Sequence, residues 1–145
     1  MELENKLNEF LADLNVFYRK LQNYHWNIKG KSFFVVHAKL EEYYNEINEQ
    51  IDEIAEHILI LGGQPLGTVK DYLDISTIKE AENKKIKSAE IYNNLLSDFE
   101  ELNKKAIEIK EEAETEKDYA TSLLIDEYIL DYGKIIWMLK HVTSE

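Results

Sequence analysis

Among the side chains able to ligate a metal or move a proton, His37, Glu41, Asp52 and Glu56 stand out by their spacing. His37 and Glu41 are four apart, as are Asp52 and Glu56, and residues four apart share a helix face. At 100° per residue, Glu41 and Asp52 differ by only about 20° around a helix axis, so all four fall within an arc of roughly 100°. They run one step beside an apolar stripe of Val36, Leu40, Ile51 and Ile54. Imidazole and carboxylate donors together suit iron, and also zinc or manganese. Glu41 and Asp52, however, lie about 16 Å apart along the axis, too far for one ion. The four positions are symmetric about a point between Glu46 and Ile47. Two copies packed antiparallel about a two-fold axis at that point would bring Asp52 and Glu56 of one beside His37 and Glu41 of the other, making two equal sites. Acids beside an apolar seam are also the ordinary solvated flank of a helical bundle, and spacing alone leaves both readings open.

Other chemistries find no support. The residues three before the four histidines are Gln22, Phe34, Ile54 and Met138, so the Glu-x-x-His pair of conventional di-iron bundles is absent. There is no His-Glu-x-x-His, no Gly-x-Ser-x-Gly, no phosphate-cradling Gly-Lys-Ser/Thr loop and no dinucleotide fingerprint. With no cysteine, thiolate zinc sites, iron–sulfur clusters, thiol catalysis and disulfides are excluded. His57 and His141 have no partner at ligand spacing and are expected at the surface.

The elements that must hold these residues are helices. One proline and five glycines leave few breaks. Apolar residues at steps of three and four mark four segments: Leu3 to Ile28, Val36 to Leu61, Leu95 to Ile109, and Thr121 to Val142. Gly30 ends the first, and Gly62-Gly63-Gln64-Pro65 stops the second. The link from about residue 62 to about 82 is long enough to cross a bundle, and Thr68–Leu73 reads as a short helix within it. The spacing therefore predicts an all-α, ferritin-like four-helix bundle, in one domain over residues 1–145. A long crossover containing a short helix joins its second and third helices.

Composition narrows the partners. The chain has 145 residues, with 29 Asp+Glu against 17 Lys+Arg, for a net charge of −12. Without a basic block it is a poor ligand for a phosphate backbone, and no direct DNA binding is expected. No apolar run reaches the length of a membrane span, so no membrane partner is expected, and the acidic, helical start does not resemble a signal peptide. The expected compartment is the cytoplasm.

The chain also resembles the Dps-like miniferritins over nearly its whole length. The resemblance rests on Leu14-Asn15-Val16-Phe17, Tyr24-His25-Trp26-Asn27, Phe33, Phe34 and His37, and Leu40-Glu41-Glu42-Tyr43-Tyr44. Its most diagnostic stretch is Gln50-Ile51-Asp52-Glu53-Ile54-Ala55-Glu56-His57-Ile58-Leu59, followed by Gly62-Gly63-Gln64-Pro65-Leu66; Lys134-Ile135-Ile136-Trp137-Met138-Leu139 closes it. The resemblance implies a ferroxidase centre at a two-fold interface. His25, His37 and Glu41 would be metal ligands from one subunit, and Asp52 and Glu56 ligands from its partner. Trp26 would stand close to the iron and take up oxidising equivalents, although a core aromatic is the other reading of that indole. It further implies a hollow homo-oligomer of twelve subunits that oxidises iron(II) to iron(III), preferably with hydrogen peroxide, and stores the mineral inside. Zinc is a natural substitute in such a site. Over twelve subunits the charge becomes roughly −140, a field that draws cations. The alternative is a DNA-condensing nucleoid protein with secondary iron chemistry, but neither end carries the Lys- or Arg-rich tail that DNA-binding members commonly use. Two departures stand out: Ile135 replaces the usual His, and Leu123 replaces the Asp that often lines an acidic pore, with Glu116, Asp118 and Asp126 near enough in sequence to take over.

Overall fold

The computed structural model describes residues 2–144. Helices α1 (Glu2–Asn27) and α2 (Phe33–Ile60) form one hairpin, and α4 (Ser88–Thr115) and α5 (Tyr119–Val142) form the other. The link between hairpins holds a short helix, α3 (Val69–Ile75), which packs on α1. The four long helices and the crossover helix are those the spacing predicts. The fourth element begins earlier than its apolar run from Leu95 suggests, because Ile91 is already buried one turn above. Two short strands, one in the turn between α1 and α2 and one at the end of the crossover, add a feature that helical spacing does not show. β1 (Ile28–Lys29) and β2 (Ile86–Lys87) pair in parallel, Ile28 opposite Ile86 and Lys29 opposite Lys87.

The crossover runs along α1 because polar residues of α1 hold it at intervals. Near the start of α1, the Asn8 amide donates to the Gln64 carbonyl (3.1 Å) and accepts from the Leu66 N–H (2.9 Å). Further along, Asp13 has no solvent access, yet its carboxylate accepts from the Ser76 hydroxyl (2.7 Å), the Thr77 N–H (2.9 Å) and the Lys105 ammonium of α4. Near the end of α1, Asn23 donates to the Ala81 carbonyl (3.1 Å). The β1–β2 pair completes the series and sets the start of α4 beside the end of α1. The crossover therefore returns over the full bundle, and α2 and α4 run in the same direction.

The core follows the predicted stripes. Leu3, Leu7, Phe10, Leu14, Phe17 and Leu21 of α1 meet Ile47 and Ile54 of α2, Leu95, Phe99 and Leu102 of α4, and Tyr128 and Tyr132 of α5. Phe17 stands edge-on to Phe99 at 5.0 Å between ring centres. Two polar residues of α2 serve α5 tyrosines: Tyr132 donates to Gln50 (2.6 Å), and Tyr128 donates to Glu53. His57 corrects its surface assignment. It is buried, with Nε2 2.7 Å from the Thr121 hydroxyl, because Ile54 and Ile58 turn that side of α2 toward the start of α5. His141 is exposed as expected, its Nδ1 2.9 Å from the Trp137 carbonyl.

Two helices end the same way with different residues. After α2, Gly62 takes φ 84°, the Gly63 N–H bonds the Ile58 carbonyl and the Gly62 N–H that of Leu59. After α4, Lys117 takes φ 59° in the equivalent place, and the Asp118 N–H bonds Ala113. A side chain pays for that left-handed backbone and glycine does not. Lys117→Gly should therefore raise stability by about 1 kcal/mol in urea unfolding. Asp13→Ala, which strips the Lys105 charge and the crossover of their shared acceptor, should lower it by about 3 kcal/mol. Both are to be compared at one protein concentration, since assembly shifts apparent stability.

Candidate metal centre

The short link between α1 and α2 turns the chain back so that His25, in the last turn of α1, meets His37, in the second turn of α2. Gly30 adopts φ 112°, a left-handed value open to glycine, and its carbonyl accepts from the Phe33 N–H (3.1 Å) as α2 begins. The two imidazoles stack at 3.6 Å between ring centres with planes 12° apart. Each ring also grips the other residue's backbone. His25 Nδ1 lies 2.7 Å from the His37 carbonyl oxygen, and His37 Nδ1 lies 2.7 Å from that of His25.

This reciprocal contact fixes the tautomers. A carbonyl oxygen only accepts, so each Nδ1 must carry the proton and donate it. In the neutral rings both Nε2 atoms then keep a lone pair, the form in which histidine binds a metal. His25 Nε2 lies 3.8 Å from Glu41 Oε1. Two ligand atoms each about 2.1 Å from one ion stand about 3–4 Å apart, so this gap suits an ion between them better than a direct hydrogen bond. His25 is buried, His37 half-buried and Glu41 exposed, so the donors open outward.

The structure thus brings His25 against His37 on one side and within reach of Glu41 on the other. Asp52 and Glu56 lie exposed farther along α2, and among the described residues no three His, Cys, Asp or Glu of a single chain gather to hold an ion. Trp26 is 55% exposed, with the Arg19 guanidinium 5.8 Å from its ring centre. At the other end of the bundle, two of the three acids near Leu123 already have tasks. Asp118 caps α5 by accepting from the Thr121 N–H (3.1 Å), and Asp126 pairs with Lys110 at 2.8 Å. Leu123 itself is 71% exposed.

Spacing arguments about ligands missed the aromatic wall of this site. Phe33 stacks on His37 at 4.9 Å and 16°. Tyr44 stands edge-on to His25 at 5.3 Å, and Tyr18 stands edge-on to Tyr44 at 5.9 Å. Burial, then the Glu41 carboxylate and Tyr18, raise the Tyr44 phenol above its ordinary value and keep it protonated. A signal was available. Tyr44 follows His37 by seven residues and Tyr18 precedes His25 by seven, and two helical turns return a side chain to the same face.

The comparisons agree with this architecture. Residues 4–145 match the ferritin-like domain family. DNA protection during starvation protein 2 of Bacillus anthracis is 40% identical over 143 residues, covering 96% of this chain and 94% of that one. The crystal structure of antigen TpF1 from Treponema pallidum superposes with a TM-score of 0.97 at 36% identity, over 99% of this chain and 92% of the other. A Dps protein from Vibrio cholerae O1, itself a ferritin-like diiron-carboxylate protein, superposes with a TM-score of 0.93 at 39% identity, over 97% and 87%. The bundle, its pinned crossover and these likenesses together place the chain in the Dps branch of the ferritin-like family.

Proposed function

We propose that the protein is a ferroxidase that detoxifies and stores iron in the cytoplasm. The observation that carries this reading is the reciprocal grip of His25 and His37, which leaves both Nε2 atoms a lone pair and sets that of His25 beside Glu41. Iron(II) is the substrate. It binds between His25, His37 and Glu41 of one subunit and Asp52 and Glu56 of a second, whose exposure leaves them available across a two-fold contact. The carboxylates offset the cation's charge, and the imidazoles set its affinity. Hydrogen peroxide is the preferred oxidant. Each of two irons gives up one electron, the O–O bond breaks, and two protons complete two waters. No hydroxyl radical is released when both electrons arrive together. Zinc, with the same taste for imidazole and carboxylate, competes for the site.

The placement of the apolar surface supports a homo-oligomer. Phe34, Val35, Leu59 and Ile60 are exposed at the two ends of α2, and Leu123, Leu130 and Trp137 form a separate exposed line on α5. One isologous contact closes at a dimer, so a hollow shell of twelve needs a second kind of contact. Two distinct apolar faces meet that requirement. No helix of the described residues is long and apolar enough to cross a membrane.

DNA condensation is the second reading, and one local feature favours it. The β1–β2 pair sets Lys29 directly opposite Lys87, with Lys31 and Lys85 close by in sequence, and all four are exposed. This small cationic spot stands against a chain charge of −12. Duplex DNA is expected to show no gel shift near neutral pH without bridging divalent cations; a shift that weakens steeply with salt would favour direct binding. For the ferroxidase itself, the double variant Asp52→Ala, Glu56→Ala should slow peroxide-driven iron(II) oxidation by about tenfold or more. A rate equal to the unaltered protein's would show that these carboxylates are not ligands.

A further inference from the structure

The end of the crossover stands off from the helices it joins and leaves a cleft. About 300 Å3 of space lies between Lys20 and Tyr24 of α1, Glu90 and Asn94 of α4, and the segment from Lys79 to Ile86. That is the small end of the range for ligand pockets and fits a molecule of few atoms. The inner wall carries hydrogen-bond donors that lack acceptors. Lys20 is 7% exposed and Tyr24 4% exposed. An ammonium has three hydrogens to give, and Lys20 has one acceptor among the described residues, the Asp98 carboxylate at 2.7 Å. The Tyr24 hydroxyl accepts from the Asn94 amide at 3.0 Å, and none of the described residues accepts the hydroxyl's own hydrogen. Buried donors left open are unfavourable, and acceptor oxygens seated on them remove the penalty.

The mouth of the cleft has the opposite character. Asp98 already offsets the Lys20 charge. Lys79 and Lys84 then face Glu80, Glu82 and Glu90, so acids are in excess around the opening. Lys84 is engaged with Glu82 at 3.2 Å, while Glu90 has no ion-pair partner among the described residues. Glu90 precedes Asn94 by four residues, so it sits on the same face of α4, about 6 Å along the axis from the residue that meets Tyr24. A simple anion satisfies the inner donors but is repelled at the mouth. A simple cation meets Glu90 but leaves the inner donors open. A short molecule with a carboxylate at one end and an ammonium at the other satisfies both.

We propose that this cleft binds a small α-amino acid. The ligand carboxylate accepts from Lys20 Nζ and from the Tyr24 hydroxyl, and the ligand ammonium donates to Glu90. Ile86 supplies the apolar wall, which suits a short apolar side chain. Because residues of the crossover line the same cleft as α1 and α4, the bound molecule also ties the segment from Lys79 to Lys84 to both helices.

The test titrates L-alanine against the full-length protein. Saturation-transfer NMR on the amino acid reads the affinity, and amide hydrogen exchange with mass spectrometry locates the site. L-alanine should bind and slow exchange in the segment from Lys79 to Lys84. Propionate, which lacks the ammonium, and ethylamine, which lacks the carboxylate, should each bind about tenfold more weakly or worse. Tyr24→Phe removes only the hydroxyl and should weaken L-alanine by about tenfold. Glu90→Gln, at an exposed position, should weaken L-alanine by a similar factor yet strengthen propionate, because repulsion of an anion goes with the charge. A damaged fold would weaken both ligands. No saturation transfer at millimolar L-alanine, equal affinity for L-alanine and propionate, protection confined to other segments, or unaltered affinity in the two variants overturns the proposal.

Discussion

A carboxylate with no access to water cannot be left unpaired, and Asp13 is such a carboxylate. It sits in the middle of α1, where an apolar residue would serve the core as well. In its place it collects a lysine from α4 and two groups from the crossover. This one cluster ties three parts of the chain that are far apart in sequence. Because the crossover must reach Asp13, it lies along α1 and not across the open face of α2. Because it continues to the end of α1, α4 starts where α2 starts. The surface of α2 that carries Glu41, Asp52 and Glu56 is left uncovered as a result.

Much of this architecture was legible in the residue order, for physical reasons. Apolar residues at steps of three and four bury one face of a helix whatever it packs against, so all four long helices and their approximate ends follow from spacing. Thr68 announced α3, and its hydroxyl does accept from the Asp71 N–H at 3.2 Å. What spacing could not give is anything that depends on where two elements meet. His57 looked unpartnered because its partner, Thr121, lies 64 residues away on another helix. The two-residue strands have no period to detect. At the candidate site, His37 and Glu41 were readable because they share a helix. The tautomer-fixing contact with His25 depends on how the link at Gly30 folds, and no motif records that.

The acid surplus is unevenly distributed. Acids cluster where α2 faces α5: Glu46 is held above its ordinary value by burial first, then by Asp131, Glu42 and Glu49. A raised carboxyl works against the fold above its ordinary pKa, and that cost shrinks as pH falls and the group takes up its proton. Elsewhere acids are neutralised locally. Lys110 meets both Asp126 and Glu114, and Lys20 meets Asp98 at 2.7 Å inside the bundle. Burial still raises Asp98 despite that lysine, so desolvation outweighs the pair's attraction there. The net charge of −12 therefore comes from acids left without such a cation, Glu46 among them.

The mutual hold of His25 and His37 has a consequence for how the chain tolerates change in length. Two hydrogen bonds and a ring stack join residues twelve apart in sequence and close the loop between them, much as a cross-link would. One added residue in that loop would rotate α2 by about 100° against α1 and turn His37 away from its partner. The crossover has no such clasp between Glu82 and Lys85, where the backbone is exposed and irregular. Insertions, tags or grafted peptides belong there, while the hairpin at Gly30 has a fixed gauge.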